Sequence, residues 1–311
     1  MSNNTSDSAG TPVALLVGAS RGLGLEIARV LHGDGYEVVL CSRDQESLDR
    51  AAEQLGSRVS TRVVDISDAA QVQRAVASVE QEFGAIDVAI AIAGIIQVGP
   101  AEDMTLEHFD QAIDIMARGP IHVAWSVLPG MRKRRQGHIG IVASVGGVAS
   151  PPHLLPYATA KFAAVGFADG LASALSGTGV TATTIVPGLM RTGSQDRATF
   201  TGNSAKEHAW FSVAASLPLL SIDATTAARR IVDGVVSGKP LVTLTPLTWM
   251  AYRVRGLMPA TTTRVMGLAG RLLPGPSGNT EPIEGRKLPT PPLVDRLTVL
   301  ARRAAARNNE E

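Results

Sequence analysis

One cysteine, Cys41, is the entire thiol content of the 311 residues. That excludes an internal disulfide framework and any cysteine-rich metal site. The histidines show neither metal-ligand spacing nor carboxylate partners beside them, so no structural metal is expected. Charge of one sign is scarce as well, the formal sum being +1, which argues against a dedicated nucleic-acid binder. No apolar run is uninterrupted enough to span a bilayer. Residues 138–160 and 170–190 contain no Asp, Glu, Lys or Arg, yet Gly146, Gly147, Pro151 and Pro152 break the first and Gly177, Gly179 and Pro187 the second. The N-terminus is polar and small and lacks the basic-then-apolar order of a secretory leader; residues 1–11 are expected to be disordered. What remains is a cytoplasmic protein whose 45% apolar and 18% charged content suits a globular core.

What is present alternates between two textures. Short Val/Ile-rich runs recur at 13–17, 37–40, 58–64, 86–93, 138–143, 180–186 and 241–244. Their near-continuous apolar character predicts strands buried on both faces. Between them, helical spacing covers 23–31, 45–55, 68–83, 106–135, 157–175 and 223–236. Strand, helix, strand in repetition predicts right-handed crossovers. The expected fold is α/β: a Rossmann-like, doubly wound, seven-stranded parallel sheet with helices on both faces, occupying 12–245. After Thr245 the texture changes. Ten basic and five acidic residues follow it, against nineteen and twenty-three before it. This basic extension, 246–311, is expected to be helical, with a Pro/Gly-rich linker over 274–292 and a last helix over 293–306.

Three local patterns carry chemistry. The first strand runs into Gly18-Ala19-Ser20-Arg21-Gly22-Leu23-Gly24, where glycines permit a tight turn and helix-start N–H groups face a pyrophosphate. At the end of the second strand an acid would bond the ribose of NAD and a cation would accept the extra phosphate of NADP. Here stand Ser42 and Arg43, with Arg21 as a second positive charge, so NADP(H) is favoured over NAD(H). Asp44 competes, but its position suits capping of the next helix. Third, Tyr157-Ala158-Thr159-Ala160-Lys161 places a phenol and an ammonium one helical turn apart. A phenol of pKa about 10 is a poor acid–base group at neutral pH, and a neighbouring ammonium is expected to lower it. Ser144, at the end of the fifth strand, can reach the same space.

With these three patterns in one order, the sequence resembles the classical short-chain dehydrogenase/reductase family from Pro12 to Thr245. The resemblance implies cofactor contacts from Gly18, Ser20, Gly22, Leu23, Gly24, Asp65, Ile66, Ala93, Gly94, Pro187, Gly188 and Thr192, and catalysis by Ser144, Tyr157 and Lys161. It implies hydride transfer between the nicotinamide and a carbonyl or alcohol carbon, with Tyr157 as acid/base, and a homodimer or homotetramer. The chain departs from the family at two places. Asn-Asn-Ala-Gly is replaced by Ala91-Ile92-Ala93-Gly94, and an Asn in the following long helix is replaced by Met116. A thioether is only a weak acceptor and cannot donate. A second reading therefore stands beside the enzyme: a catalytically weakened dinucleotide-binding sensor or scaffold.

Substrate contacts are expected from loops beyond the strands' carboxyl ends, at His153, Leu154, Met190 and Trp210, which suggests an apolar substrate. The tail has two readings, since Trp249, Tyr252, Leu257 and Met258 accompany four arginines without an acid over 246–275. One is a membrane-surface element; the other is a cover for the pocket rim or a subunit interface.

Overall fold

A computed structural model of the chain describes residues 10–191, 193–216, 221–289 and 309–310. Seven strands form one sheet: β1 (Val13–Val17), β2 (Glu37–Ser42), β3 (Val59–Val63), β4 (Val88–Ala91), β5 (Gly137–Val142), β6 (Val180–Val186) and β7 (Leu241–Thr243). Their order is β3-β2-β1-β4-β5-β6-β7, and every neighbouring pair is parallel. The reversal of strand order between β1 and β4 opens a crevice at the sheet's carboxyl edge, the place where such sheets bind ligands.

The helices are α1 (Gly22–Gly33), α2 (Gln45–Leu55), α3 (Ala69–Phe83), α4 (Leu106–Ile113), α5 (Gly119–Arg134), α6 (Gly146–Ala149), α7 (Leu155–Ala174), α8 (Ser204–Ser216), α9 (Ala224–Val236), α10 (Pro246–Leu257) and α11 (Pro259–Gly270). Alternation along β1 divides the core in two. Leu15 enters a cluster with Val123, Ala164 and Leu171 of α5 and α7, and Leu16 one with Leu25 and Ile231 of α1 and α9. Helix starts follow their caps: the Asp68 carboxylate accepts from the Ala70 and Gln71 N–H groups, and Asp223 does the same for Thr225 and Thr226.

The structure corrects three expectations. β3 lies at the sheet edge and is only half-buried, with Val63 exposed. The single helix expected over 106–135 is broken by a π-helical turn, Asp114–Arg118. Pro120 explains the break, since it has no N–H and its ring collides with the carbonyl four residues back, that of Met116. Thirdly, 274–289, the described part of the expected linker, is tied to the body of the protein. The Asp103 carboxylate accepts from Ser277 N (3.0 Å) and Gly278 N (2.8 Å), and Ile283–Glu284 pairs antiparallel with Thr199–Phe200. That pair extends through Gln97–Val98 into a small three-stranded sheet. The helix expected over 293–306 lies outside the described residues. No described helix is long and apolar enough to cross a membrane.

Candidate active site

The crevice is a cavity of about 570 Å³ at the carboxyl edge of the sheet. One half is built from strand ends. Gly18 (φ +95°) follows β1, and a Cβ there would strike the Ala93 backbone. A Cβ on Gly24 would strike the Gly18 carbonyl and, at 2.6 Å, the Ala19 Cα. Glycine is thus required twice for close backbone packing, which brings the turn against the first turn of α1. The Ser20 hydroxyl donates to that of Ser42 (3.0 Å), tying the glycine turn to the end of β2. Asp44 turns away to cap α2, accepting from Ser47 N at 3.2 Å. This leaves Arg43 at the rim, half-exposed, with Asp65 as a loose partner at 4.0 Å. Asp65 also accepts from Ser67 N (2.9 Å) and Ser67 Oγ (2.6 Å), which fixes its carboxylate. Every described residue of the expected cofactor set lines this cavity; Thr192 lies outside the described residues.

Ser144, Tyr157 and Lys161 line the same cavity. Ser144 follows β5 and is buried, its Oγ accepting from Gly146 N at 3.0 Å. Tyr157 is in the first turn of α7 and hydrogen-bonds Ser144. Lys161, 3% exposed, donates to the Val142 carbonyl at 2.7 Å, and its Nζ stands 5.9 Å from the centroid of the Tyr157 ring. Burial lowers the Lys161 ammonium to about 8. The phenol departs from expectation in direction. Burial pushes Tyr157 above its ordinary value, with only the Ser144 hydrogen bond opposing. Burial is thus the larger influence on Tyr157, and the ammonium 5.9 Å from the ring centroid does not reverse it.

Met116 occupies the π-turn and is fully buried. Its Sδ and the Lys161 Nζ lie 3.4 and 3.7 Å from the place a Cβ on Gly94 would take. The thioether and the amine therefore both flank Gly94.

The other half of the cavity is apolar and comes from later chain. Leu154, Met190 and Trp210 line it as expected, joined by Phe211, Ala269 and Leu273. His153 is placed differently from the other three. It does not line the cavity; its Nδ1 lies 2.9 Å from the carboxylate of Glu207, and its backbone adopts φ +61°. Glu207 is 0% exposed and also accepts from Trp210 Nε1 at 2.7 Å. This buried acid, which no sequence signal marked, ties the 150–153 loop to α8 and orients the indole that walls the cavity.

A second unforeseen residue is Glu310. Its carboxylate reaches the glycine turn, 3.5 Å from Arg21 Nε, where a Cβ on Gly22 would meet it at 2.5 Å. Asn309 anchors it by donating to the carbonyls of Ser20 (2.9 Å) and Ser47 (3.2 Å). Burial raises the Glu310 carboxyl to about 7, the arginines Arg21 and Arg197 only partly offsetting it. An acid held in this turn marks the place as one that accepts negative charge. Its long-range position gives the sequence no local cue.

Comparison with known proteins agrees with this geometry. The short chain dehydrogenase family pattern matches residues 12–201. Dehydrogenase/reductase SDR family member 7B of Danio rerio is 31% identical over 269 residues, covering 83% of this chain and 85% of that one. A short chain dehydrogenase/reductase from Burkholderia phymatum, solved in complex with NAD, shares the fold with a TM-score of 0.73 at 23% identity, over 79% of this chain and 93% of that one. Actinorhodin polyketide ketoreductase, solved with NADPH, is 27% identical with a TM-score of 0.65, over 75% of this chain and 95% of that one. The chain belongs to the short-chain dehydrogenase family. It is an oxidoreductase of that family.

Proposed function

We propose that the protein is an NADP(H)-dependent reductase or dehydrogenase acting on the carbonyl or alcohol carbon of an apolar substrate. The observation that carries this is convergence: the glycine cradle and the Ser144–Tyr157–Lys161 group open into one cavity whose far wall is apolar. The residues present fit a dinucleotide, because Gly18, Gly22 and Gly24 line the cavity in a turn packed tightly on the start of α1, and the Ser20–Ser42 contact shapes that turn. Arg43 favours NADP(H) over NAD(H), supported by the diversion of Asp44 into the cap of α2.

When bound, the cofactor supplies the hydride. The protein's own part is to place and protonate. Ser144 holds the carbonyl oxygen, and Tyr157, kept protonated by burial, donates to that oxygen. Lys161, between the Val142 carbonyl and the phenol ring, sets the charge beside them. Apolar walls at Leu154, Trp210 and Phe211 exclude water. Association as a homodimer or homotetramer is assigned to the long helices α5 and α7, where Trp125 and Phe162 are exposed.

Separate titration with NADPH and NADH tests the cofactor, with NADPH expected to bind more tightly. Turnover over a panel of ketones, with Tyr157→Phe beside the wild type, tests the chemistry. The second reading, a weakened dinucleotide sensor, rests on Met116, a thioether buried beside Gly94 where the family pattern has an amide. It predicts NADPH binding with no turnover of any ketone on the panel.

A further inference from the structure

Helices α10 and α11 pack on α6 through one side only. The Thr245 hydroxyl caps α10 at Thr248 N (3.1 Å), Thr248 is buried, and a Cβ on Gly270 would touch Pro152 at 3.2 Å. The opposite side is uncovered and apolar. Nine of the sixteen exposed large hydrophobic residues among those described fall between 247 and 272, which concentrates them in under a tenth of the chain. On α10, Leu247, Met250, Val254 and Leu257 follow the three-and-four spacing of one helical stripe. Val265, Leu268 and Leu272 continue the pattern along and just past α11. Leu257 is 83% exposed and Leu272 86%.

Charge on this hairpin has one sign. Arg253, Arg255, Arg264 and Arg271 lie in it and no acid does. A carboxylate that meets the hairpin is that of Asp169 on α7, which accepts from Thr184 Oγ1 (2.6 Å) and Tyr252 Oη (3.4 Å). The Arg253 guanidinium lies 3.8 Å over the Trp249 ring, an amphipathic pair suited to an interface between apolar and wet surroundings. A second copy of the hairpin would bring arginines against arginines with no acid to answer them. A bilayer with anionic headgroups answers both features at once, the stripe entering the acyl boundary and the arginines meeting phosphate.

We infer that the α10–α11 hairpin is a membrane seat that docks the protein on anionic lipid. Ala269 and Leu273 at its end also line the catalytic cavity, so the seat presents the cavity mouth to the bilayer. This last consequence rests on the reductase reading; the docking does not.

The test is co-sedimentation of the full chain with vesicles of phosphatidylglycerol and phosphatidylcholine, beside vesicles of phosphatidylcholine alone. Binding is expected to the anionic vesicles and to weaken as salt rises. Leu257→Glu with Leu272→Glu is expected to lower the partition constant by about tenfold or more, and Arg264→Gln with Arg271→Gln by a similar factor on anionic vesicles only. These side chains are exposed, so an unchanged melting temperature and retained NADPH binding would show that the variants fold. Equal sedimentation of wild type with both vesicles, or of the glutamate variant with the wild type, overturns the proposal. So does a hairpin-dependent dimer that stays in the supernatant while the vesicles sediment. Failure of the reductase reading is read separately, on the ketone panel.

Discussion

The two halves of the cavity are made in different ways. The cofactor half stands on the ends of parallel strands, where glycines, Ser20–Ser42 and the β1–β4 reversal fix backbone against backbone. The apolar half, proposed to face substrate, is assembled from segments far apart in sequence, the 150–155 loop, α8 and the end of α11, and held by side chains around one buried acid. Hydrogen bonds of a sheet tolerate side-chain change; a wall pinned by Glu207 does not. On the proposed function, changes at this wall are expected to alter substrate binding before they alter dinucleotide binding.

The largest effect is expected from Tyr157→Phe, which removes the donor where the halves meet. Turnover should fall by about 10²–10⁴-fold while NADPH binding stays near the wild type. Undiminished turnover would show that the halves do not meet at this hydroxyl.

Next is Glu207→Ala, which leaves His153 and Trp210 without their acceptor. Breaking a buried pair of this kind costs roughly 3 kcal/mol, read as a lower denaturant midpoint, and Glu207→Gln should cost less. The substrate KM should rise while NADPH affinity holds. A matching loss of NADPH affinity would mean that the wall and the cradle are one cooperative unit.

Arg43→Ala should weaken NADPH by about tenfold and leave NADH nearly unchanged, by fluorescence titration. Equal loss for both cofactors would remove the basis for NADP(H) preference.

A pH dependence separates Lys161 from its surroundings. Its folded pKa, about 8, lies below the unfolded value of 10.5, so the folded protein loses a proton first. Between these values the unfolded state holds more protons, and stability should rise with pH. Lys161→Met should remove that slope. Tyr157 is shifted upward from 10.0 and so contributes no rise of its own in this window.

The smallest effect is expected at Glu310. Its carboxyl, raised to about 7, binds a proton more tightly in place than when free, so its hold weakens as pH rises from about 4.5 to about 7. If, as proposed, the cofactor enters this turn, it competes with that carboxyl, and Glu310→Gln should alter the apparent NADPH affinity only about threefold. The difference from wild type should be greatest above pH 7.

The same contrast explains what could be read from sequence. Strands, helices and the cradle were legible because periodicity, glycine spacing and caps such as Asp68 and Asp44 act within a few residues. The edge position of β3 was not, since order in a sheet is set by pairing rather than by the run itself. The π-turn at 114–118 had a local cue in Gly119-Pro120 that helical periodicity masked. Gly119 packs where a Cβ would meet Ile66 at 2.8 Å, so the break also sets how α5 passes the cavity. Glu207 and Glu310 were invisible because their partners lie 54 and nearly 290 residues away. The phenol was misjudged in direction because spacing gives neighbours but not burial.

The short strand Ile283–Glu284 gives the hairpin a second tether. Because β7 holds its beginning and that strand its end, the hairpin has no loose end from which to peel. Hydrogen exchange there should proceed as one opening event shared by both helices, rather than as fraying that spreads inward from a tip. Any swing that widens the route into the cavity must then either strain both anchors together or pivot about the line between them.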